Sequence, residues 1–199
     1  MAVTTEMIKQ VRQASGAGVL DCRNALQQAD GDFDRAIEIL REKGLASAEK
    51  KAGRSVNEGV VGSYVHTGSH IAALVELNCE TDFVARTPEF QQLAHDLAMQ
   101  VVALRPCWLW PDDVPADLVE REKELYRRQA LEERKPERVV ARIVEGRMDK
   151  FYTQYCLMCQ SYIRDEGMAV EDLIKQKIAQ FGENIVVRRF VRLEVGEHE

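Results

Sequence analysis

No stretch of this chain approaches eighteen consecutive apolar residues, so nothing in it would cross a bilayer as a helix. The opening residues, MAVTTEMIKQ, have neither the basic start nor the apolar run of an export signal. Histidine is scarce, with four in 199 residues, and two of these, His66 and His70, flank a Thr67-Gly68-Ser69 turn. A nucleophile, base and orienting acid would have to be gathered from distant parts. The chain also lacks the phosphate loop G-x-x-x-x-G-K-[ST], the dinucleotide fingerprint G-x-G-x-x-G, the nucleophile elbow G-x-S-x-G and the zinc-protease H-E-x-x-H. These absences point away from covalent catalysis and from a bound cofactor. They leave a protein that acts by binding a partner and shifting that partner's equilibrium.

Cysteine is present in odd number, five, which does not make a disulfide framework in a chain of this length. With no export signal, the expected compartment is the cytoplasm. Cys156-Leu157-Met158-Cys159 has metal or redox spacing, and His66 and His70 add an H-x-x-x-H. Their order and separation do not match a structural zinc site, so free, partly buried thiols and no metal are expected. Positive charge is in deficit: 27 Lys and Arg against 33 Asp and Glu give a net charge of −6 and a pI of about 5.4. That balance disfavours a nucleic-acid partner. Arg188, Arg189 and Arg192 lie close in sequence, but strand alternation turns Arg189 to the opposite face from the other two, and all three read as solvated positions.

The apolar pattern is that of an α+β protein. Met7, Val11 and Ala14 mark one helix, and Leu20, Cys22, Ala25, Leu26 and Ala29 a second. Phe33, Ala36, Ile37 and Leu40 mark a third, with Asp32 placed to cap it and Gly44 to end it. The expected organisation is a three-helix bundle over residues 1–45, a polar linker over 46–57 and an α+β core over 58–199. In the core, residues 59–67 and 70–79 form a hairpin, residues 87–104 a long helix, and residues 184–195 a closing strand. Two charge-rich helices between 116 and 151 form a helical hairpin. A small antiparallel sheet with helices on one face follows. Trp108 and Trp110, in a proline-punctuated loop, are expected to be buried.

The most informative residues are Thr81-Asp82-Phe83-Val84-Ala85-Arg86, between a strand and a helix start at Thr87-Pro88. An aromatic on such a connection either folds back onto the core or projects as a wedge, and its own sequence leaves both open. Asp82 could orient the loop, cap the next turn or bind a partner. At Gly18-Val19-Leu20-Asp21 a helix starts after two glycines. There Val19 fits core or surface equally, and Leu20 fits the core better.

Thr81 to Arg86, Gly16 to Leu26 (GAGVLDCRNAL), Glu145 to Phe151 (EGRMDKF) and Arg192 to Glu197 (RLEVGE) together resemble the elongation factor Ts family, in order and over about residues 3 to 197. The resemblance implies nucleotide exchange on elongation factor Tu without covalent chemistry. It implies that Asp82 and Phe83 reach the nucleotide-binding domain and disturb its magnesium and phosphate site, with Thr81 and Val84 setting the loop's geometry. It also implies that Gly18, Val19, Leu20 and Asp21 dock on the same domain, although many family members carry methionine where this chain has Val19 and Leu20. The bundle would be of the ubiquitin-associated type, residues 160–165 would be a loop without metal, and the chain, having one core half, would be the short form that pairs as a homodimer. Setting the resemblance aside, a ubiquitin-associated-type adaptor without exchange activity is the alternative.

Overall fold

In the computed structural model, which describes residues 3–197, three helices come first. Helix α1 (Thr5–Ser15) starts on Thr4, whose hydroxyl accepts from the Met7 N–H, and stops at Gly16 in the left-handed conformation (φ 68°). Helix α2 (Val19–Gln28) follows Gly18. Helix α3 (Phe33–Lys51) starts on Asp32, whose carboxylate accepts from the Arg35 N–H at 2.8 Å. Val11, Cys22, Ala25, Leu26, Ala36 and Leu40 form their buried core, with Met7, Ile8 and Ile37 packed against it. Three residues expected inside lie outside. Leu20 and Phe33 are exposed in the first turns of their helices, at the rim of a core of mostly small side chains, and Ala14 is exposed near the end of α1.

Gly44 does not end α3. A glycine inside a helix costs only about 1 kcal/mol, and the alanines and lysines after it propagate the helix to Lys51. Its small size is used instead for packing, since a Cβ there would lie 3.3 Å from that of Ala179. Residues 46–51 of the expected linker are therefore helical.

Strands β1 (Glu58–Val65) and β2 (Ile71–Cys79) form a hairpin closed by the His66 N–H donating to the Ile71 carbonyl. The sheet order is β1-β2-β5, with β5 spanning Ile185–Glu194. A connection this short makes β1 and β2 antiparallel. Strand β5 also runs antiparallel to β2, because His70 meets Val195, Glu76 meets Arg189 and Glu80 meets Asn184. Along β2, Ala73, Val75, Leu77 and Cys79 are buried while Leu74 is exposed, the expected alternation. The four-residue α4 (Asp82–Ala85) follows, then α5 (Pro88–Leu104), started by Thr87 and ended at Arg105 (φ 49°) ahead of Pro106.

Helices α6 (Ala116–Glu132) and α7 (Glu137–Tyr155) form the expected hairpin, each preceded by a proline. Val114, Met148, Phe151 and Cys156 make a second core, where Trp108 packs against Phe151 and Tyr155. Trp110 is 39% exposed and so departs from expectation, its backbone N–H held instead by Asp113. Residues 160–165 are not simply loop. β3 (Ser161–Tyr162) pairs antiparallel with β4 (Asp165–Ala169), strands too short and irregular in register to show an alternation. Arg192 is likewise not solvated, its side chain being buried against Glu194 and Glu197. Helix α8 (Val170–Phe181) ends at Gly182 (φ 75°). Among the described residues no helix is long and apolar enough to cross a membrane.

The chain divides into two compact units. One takes the sequence to Val60 together with Leu77–Gln91 and Asp172–Arg188, and the other takes Val61–Glu76, Gln92–Glu171 and the sequence from Arg189 onward. Within the second, β1 and α5 approach so closely that a Cβ at Gly62 would lie 2.4 Å from the Ala94 carbonyl. Backbone cannot yield as a flexible side chain can, so Gly62→Ala is expected to cost about 2–3 kcal/mol by overpacking. Urea denaturation checks this, and a variant as stable as wild type would show that the approach can relax.

Candidate functional site

Cys79, the last residue of β2, is fully buried, and its Sγ donates to the Thr81 carbonyl at 3.2 Å. Burial pushes its thiol up to about 11, and the neighbouring Glu183 carboxylate adds to the shift. Thr81 has an extended backbone, and its hydroxyl accepts from the Val84 N–H at 3.5 Å as the N-cap of α4. Ala85, 5% exposed, anchors the far end of that helix. With Ala85 turned inward and Val84 half-buried, one helical turn carries Phe83 outward. Its side chain is 84% exposed, more than any other large exposed hydrophobic among the described residues. The core-capping alternative for Phe83 does not occur.

Asp82 does not cap the turn, since Thr81 does. It pairs instead with Arg86 at 2.9 Å one turn along, a half-exposed pair worth no more than about 1 kcal/mol. Asp82 thus stands beside Phe83 with a carboxylate that a partner can reach.

The loop is braced from a distant part of the sequence. Glu183 Oε2 accepts from the Glu80 N–H (3.1 Å) and the Thr81 N–H (3.0 Å), and Glu183 Oε1 accepts from the Thr81 hydroxyl (2.6 Å). Glu80 Oε1 in turn accepts from the Asn184 N–H at 2.6 Å and pairs with Arg54 at 3.3 Å. The buried Asn184 amide donates to the Ala52 and Arg54 carbonyls at 3.3 and 2.9 Å. Sequence reasoning missed Glu183, Asn184 and Arg54. The one local signal, a Glu-Asn pair just past the glycine that stops a helix, does not say which loop it will meet.

The second set, Gly18, Val19, Leu20 and Asp21, heads α2. Val19 is 52% exposed and Leu20 66%, so both project into solvent where Leu20 had been expected in the core. Gly18 offers no side chain to cap the helix, and Asp21 sits in its first turn, where the helix dipole favours a negative charge. Both sets belong to the first compact unit, and none of the described hydrogen bonds joins one to the other.

The five cysteines are free. Cys156 is buried and its thiol pushed up to about 12, chiefly by burial and then by Cys159. Burial raises Cys107 and Cys159 as well. Cys79, Cys107, Cys156 and Cys159 are therefore poor thiolates near neutrality. Among the described residues no group of three or more His, Cys, Asp or Glu is arranged to hold a metal ion.

A family model described as Elongation factor TS matches residues 21–197. The Elongation factor Ts of Carboxydothermus hydrogenoformans is 52% identical over 195 residues, covering 98% of this chain and 90% of that protein. That of Fervidobacterium nodosum is 50% identical over 197 residues, covering 99% and 100%. That of Caldanaerobacter subterraneus is 53% identical over 195 residues, covering 98% of each.

The buried thiols make stability depend on alkaline pH. Between about pH 9 and pH 11–12 an unfolded chain releases protons that the folded chain keeps at Cys79 and Cys156. The unfolding free energy therefore falls as pH rises through that window, and these two groups leave it unaffected below. Denaturant titrations at about pH 8, 9.5 and 11 should show a shallower fall in Cys79→Ala/Cys156→Ala than in wild type; identical slopes would rule the thiols out as its source.

Proposed function

The chain belongs to the elongation factor Ts family, and from that premise we propose that it binds elongation factor Tu carrying GDP, speeds GDP release and so lets GTP bind, in the cytoplasm and without covalent chemistry. The observation that carries this reading is Phe83. A large apolar side chain left in water stabilises nothing in the free protein, and here it stands on a turn fixed at both ends. Such a side chain is suited to bury itself in a partner.

The mechanism is linkage. Phe83 enters the nucleotide-binding domain of elongation factor Tu as a wedge, Asp82 presents its carboxylate beside it, and Thr81 and Val84 fix the geometry of the turn. If the wedged state cannot keep magnesium and phosphate well ordered, binding of this protein weakens nucleotide affinity. Nucleotide must then weaken this protein's binding by the same factor. A ten-thousand-fold acceleration of release requires roughly 5.5 kcal/mol of barrier reduction. One aromatic anchor supplies about 2–4 kcal/mol. A second contact has to provide the remainder, and the exposed Val19 and Leu20, with Gly18 and Asp21, are its candidates on a ubiquitin-associated-like bundle over residues 1–45. Residues 46–57 then tether that bundle to the core and dimerisation domain, 58–199.

A homodimer completes the reading. In the second unit, Val61, Val65, Leu74, Val191 and Leu193 are exposed across the three strands, with Val195 just past the end of β5, an apolar face that a second copy would cover. No direct nucleic-acid contact is part of the proposal.

Stopped-flow release of fluorescent GDP from elongation factor Tu tests the exchange. Wild type should accelerate release, and Phe83→Ala should lose roughly 30- to 1,000-fold of that acceleration, the range of one anchor, while staying folded. Leu20→Ala should lose less. Acceleration that survives Phe83→Ala intact would move the principal contact elsewhere, and no acceleration by wild type would leave the adaptor reading. For the dimer, Leu193→Glu should sediment as a monomer where wild type sediments as a dimer, and equal sedimentation of the two would remove that face from the interface.

A further inference from the structure

We propose that Glu183 is a positioning residue for Phe83, acting through Thr81 from a corner of the fold about a hundred residues away in sequence; the inference rests on the exchange reading. The argument begins with the size of α4. Four residues are far below the roughly 12–15 at which a helix begins to hold itself together in water. Its persistence must therefore come from its ends, where the first backbone N–H groups lack helical partners.

Glu183 controls that end in two ways. Its Oε2 takes the N–H groups of Glu80 and Thr81, so the backbone entering the turn is pinned to one carboxylate oxygen. Its Oε1 takes the Thr81 hydroxyl proton at 2.6 Å. A hydroxyl has one proton, and committing it to Glu183 leaves the oxygen's lone pairs to accept from the Val84 N–H. The carboxylate thus selects the rotamer in which Thr81 caps α4, and α4 carries Phe83. The chain of influence runs from Glu183 through Thr81 and α4 to Phe83.

The corner that presents Glu183 is itself held. Gly182 stops α8, and Asn184, the residue after Glu183, donates its N–H to Glu80 and its amide to the carbonyls of Ala52 and Arg54. Glu80 and Glu183 therefore bond in opposite directions across one seam, each accepting from the other's strand end. Charge-assisted bonds of this kind are about twice as strong as neutral ones. None of these groups needs to touch a partner. Their role is to lower the cost of ordering Phe83 in the complex by ordering it beforehand.

The test uses the full chain, elongation factor Tu and fluorescent GDP. Glu183→Ala is expected to lose roughly tenfold in the second-order rate of catalysed release, equivalent to about 1.4 kcal/mol. Glu183→Gln should stay within about threefold of wild type, because an amide oxygen can take both backbone N–H groups and its nitrogen can donate to Thr81. The decisive comparison is the double variant. With Phe83→Ala already present, Glu183→Ala should change the rate by less than about twofold, since the two act as one unit. An equal loss in both backgrounds, or a Gln variant as impaired as Ala, would overturn the proposal in favour of general stability.

Amide hydrogen exchange supplies an independent reading. In Glu183→Ala, protection over residues 80–84 should fall about tenfold or more while α1 to α3 keep theirs. If Glu183→Ala does not fold, Thr81→Val, which removes the hydroxyl between Glu183 and Val84, carries both comparisons. If wild type fails to speed GDP release, the exchange reading falls by itself, whereas unchanged protection over residues 80–84 would overturn the brace whether or not exchange occurs.

Discussion

Backbone N–H groups at the start of a helix have no partners within it, and in a helix of one turn they make up nearly all of its donors. The segment from Glu80 to Ala85 meets this constraint with two side chains. Thr81 caps the turn locally, and Glu183, brought from the far end of α8, takes the donors that precede it. Buried Cys79 and Ala85 fix the two ends of the segment. The exposed Phe83 depends on all of these, because without them the turn has too little hydrogen bonding to persist and the aromatic would be free to collapse onto the nearest apolar surface.

This arrangement suits a protein that works by binding. The largest shifts in acidity belong to Cys79, Cys156 and Tyr162, each raised chiefly by burial. A wedge needs an apolar group kept in water at a fixed position and enough structure beneath it to resist retreat. Both are found at Phe83. The exposed Val19 and Leu20 have the same character, apolar side chains at a helix start with little of their own fold to cover them.

Glycine is used in this chain as much for thickness as for turning. Gly62 lets β1 meet α5 at backbone contact, and Gly44 lets α3 lie against α8 without ending α3. Neither role is written in the residue's neighbours. Gly16 and Gly182, by contrast, adopt left-handed conformations just past helices and do what their positions announce.

The elements that repeat a simple period were legible in the residues. Helices α1, α2, α5 and α8, strand β2 and the α6–α7 hairpin follow from apolar spacing, caps and prolines, because those signals act within a few residues of the backbone they shape. The sequence by itself determined the α+β class, the scarcity of catalytic groups and the position of the TDFVAR connection between a strand and a helix. Only the tertiary structure decided that Phe83 and Leu20 face solvent, that Gly44 is crossed by its helix, that Trp110 is partly exposed, that Arg192 is buried, and that Glu183 and Asn184 brace a loop they are not near in sequence. The physical reason is the same in each case. Exposure and long-range hydrogen bonding are set by what the rest of the chain places alongside a residue, and a local pattern of apolar and polar positions holds no record of that.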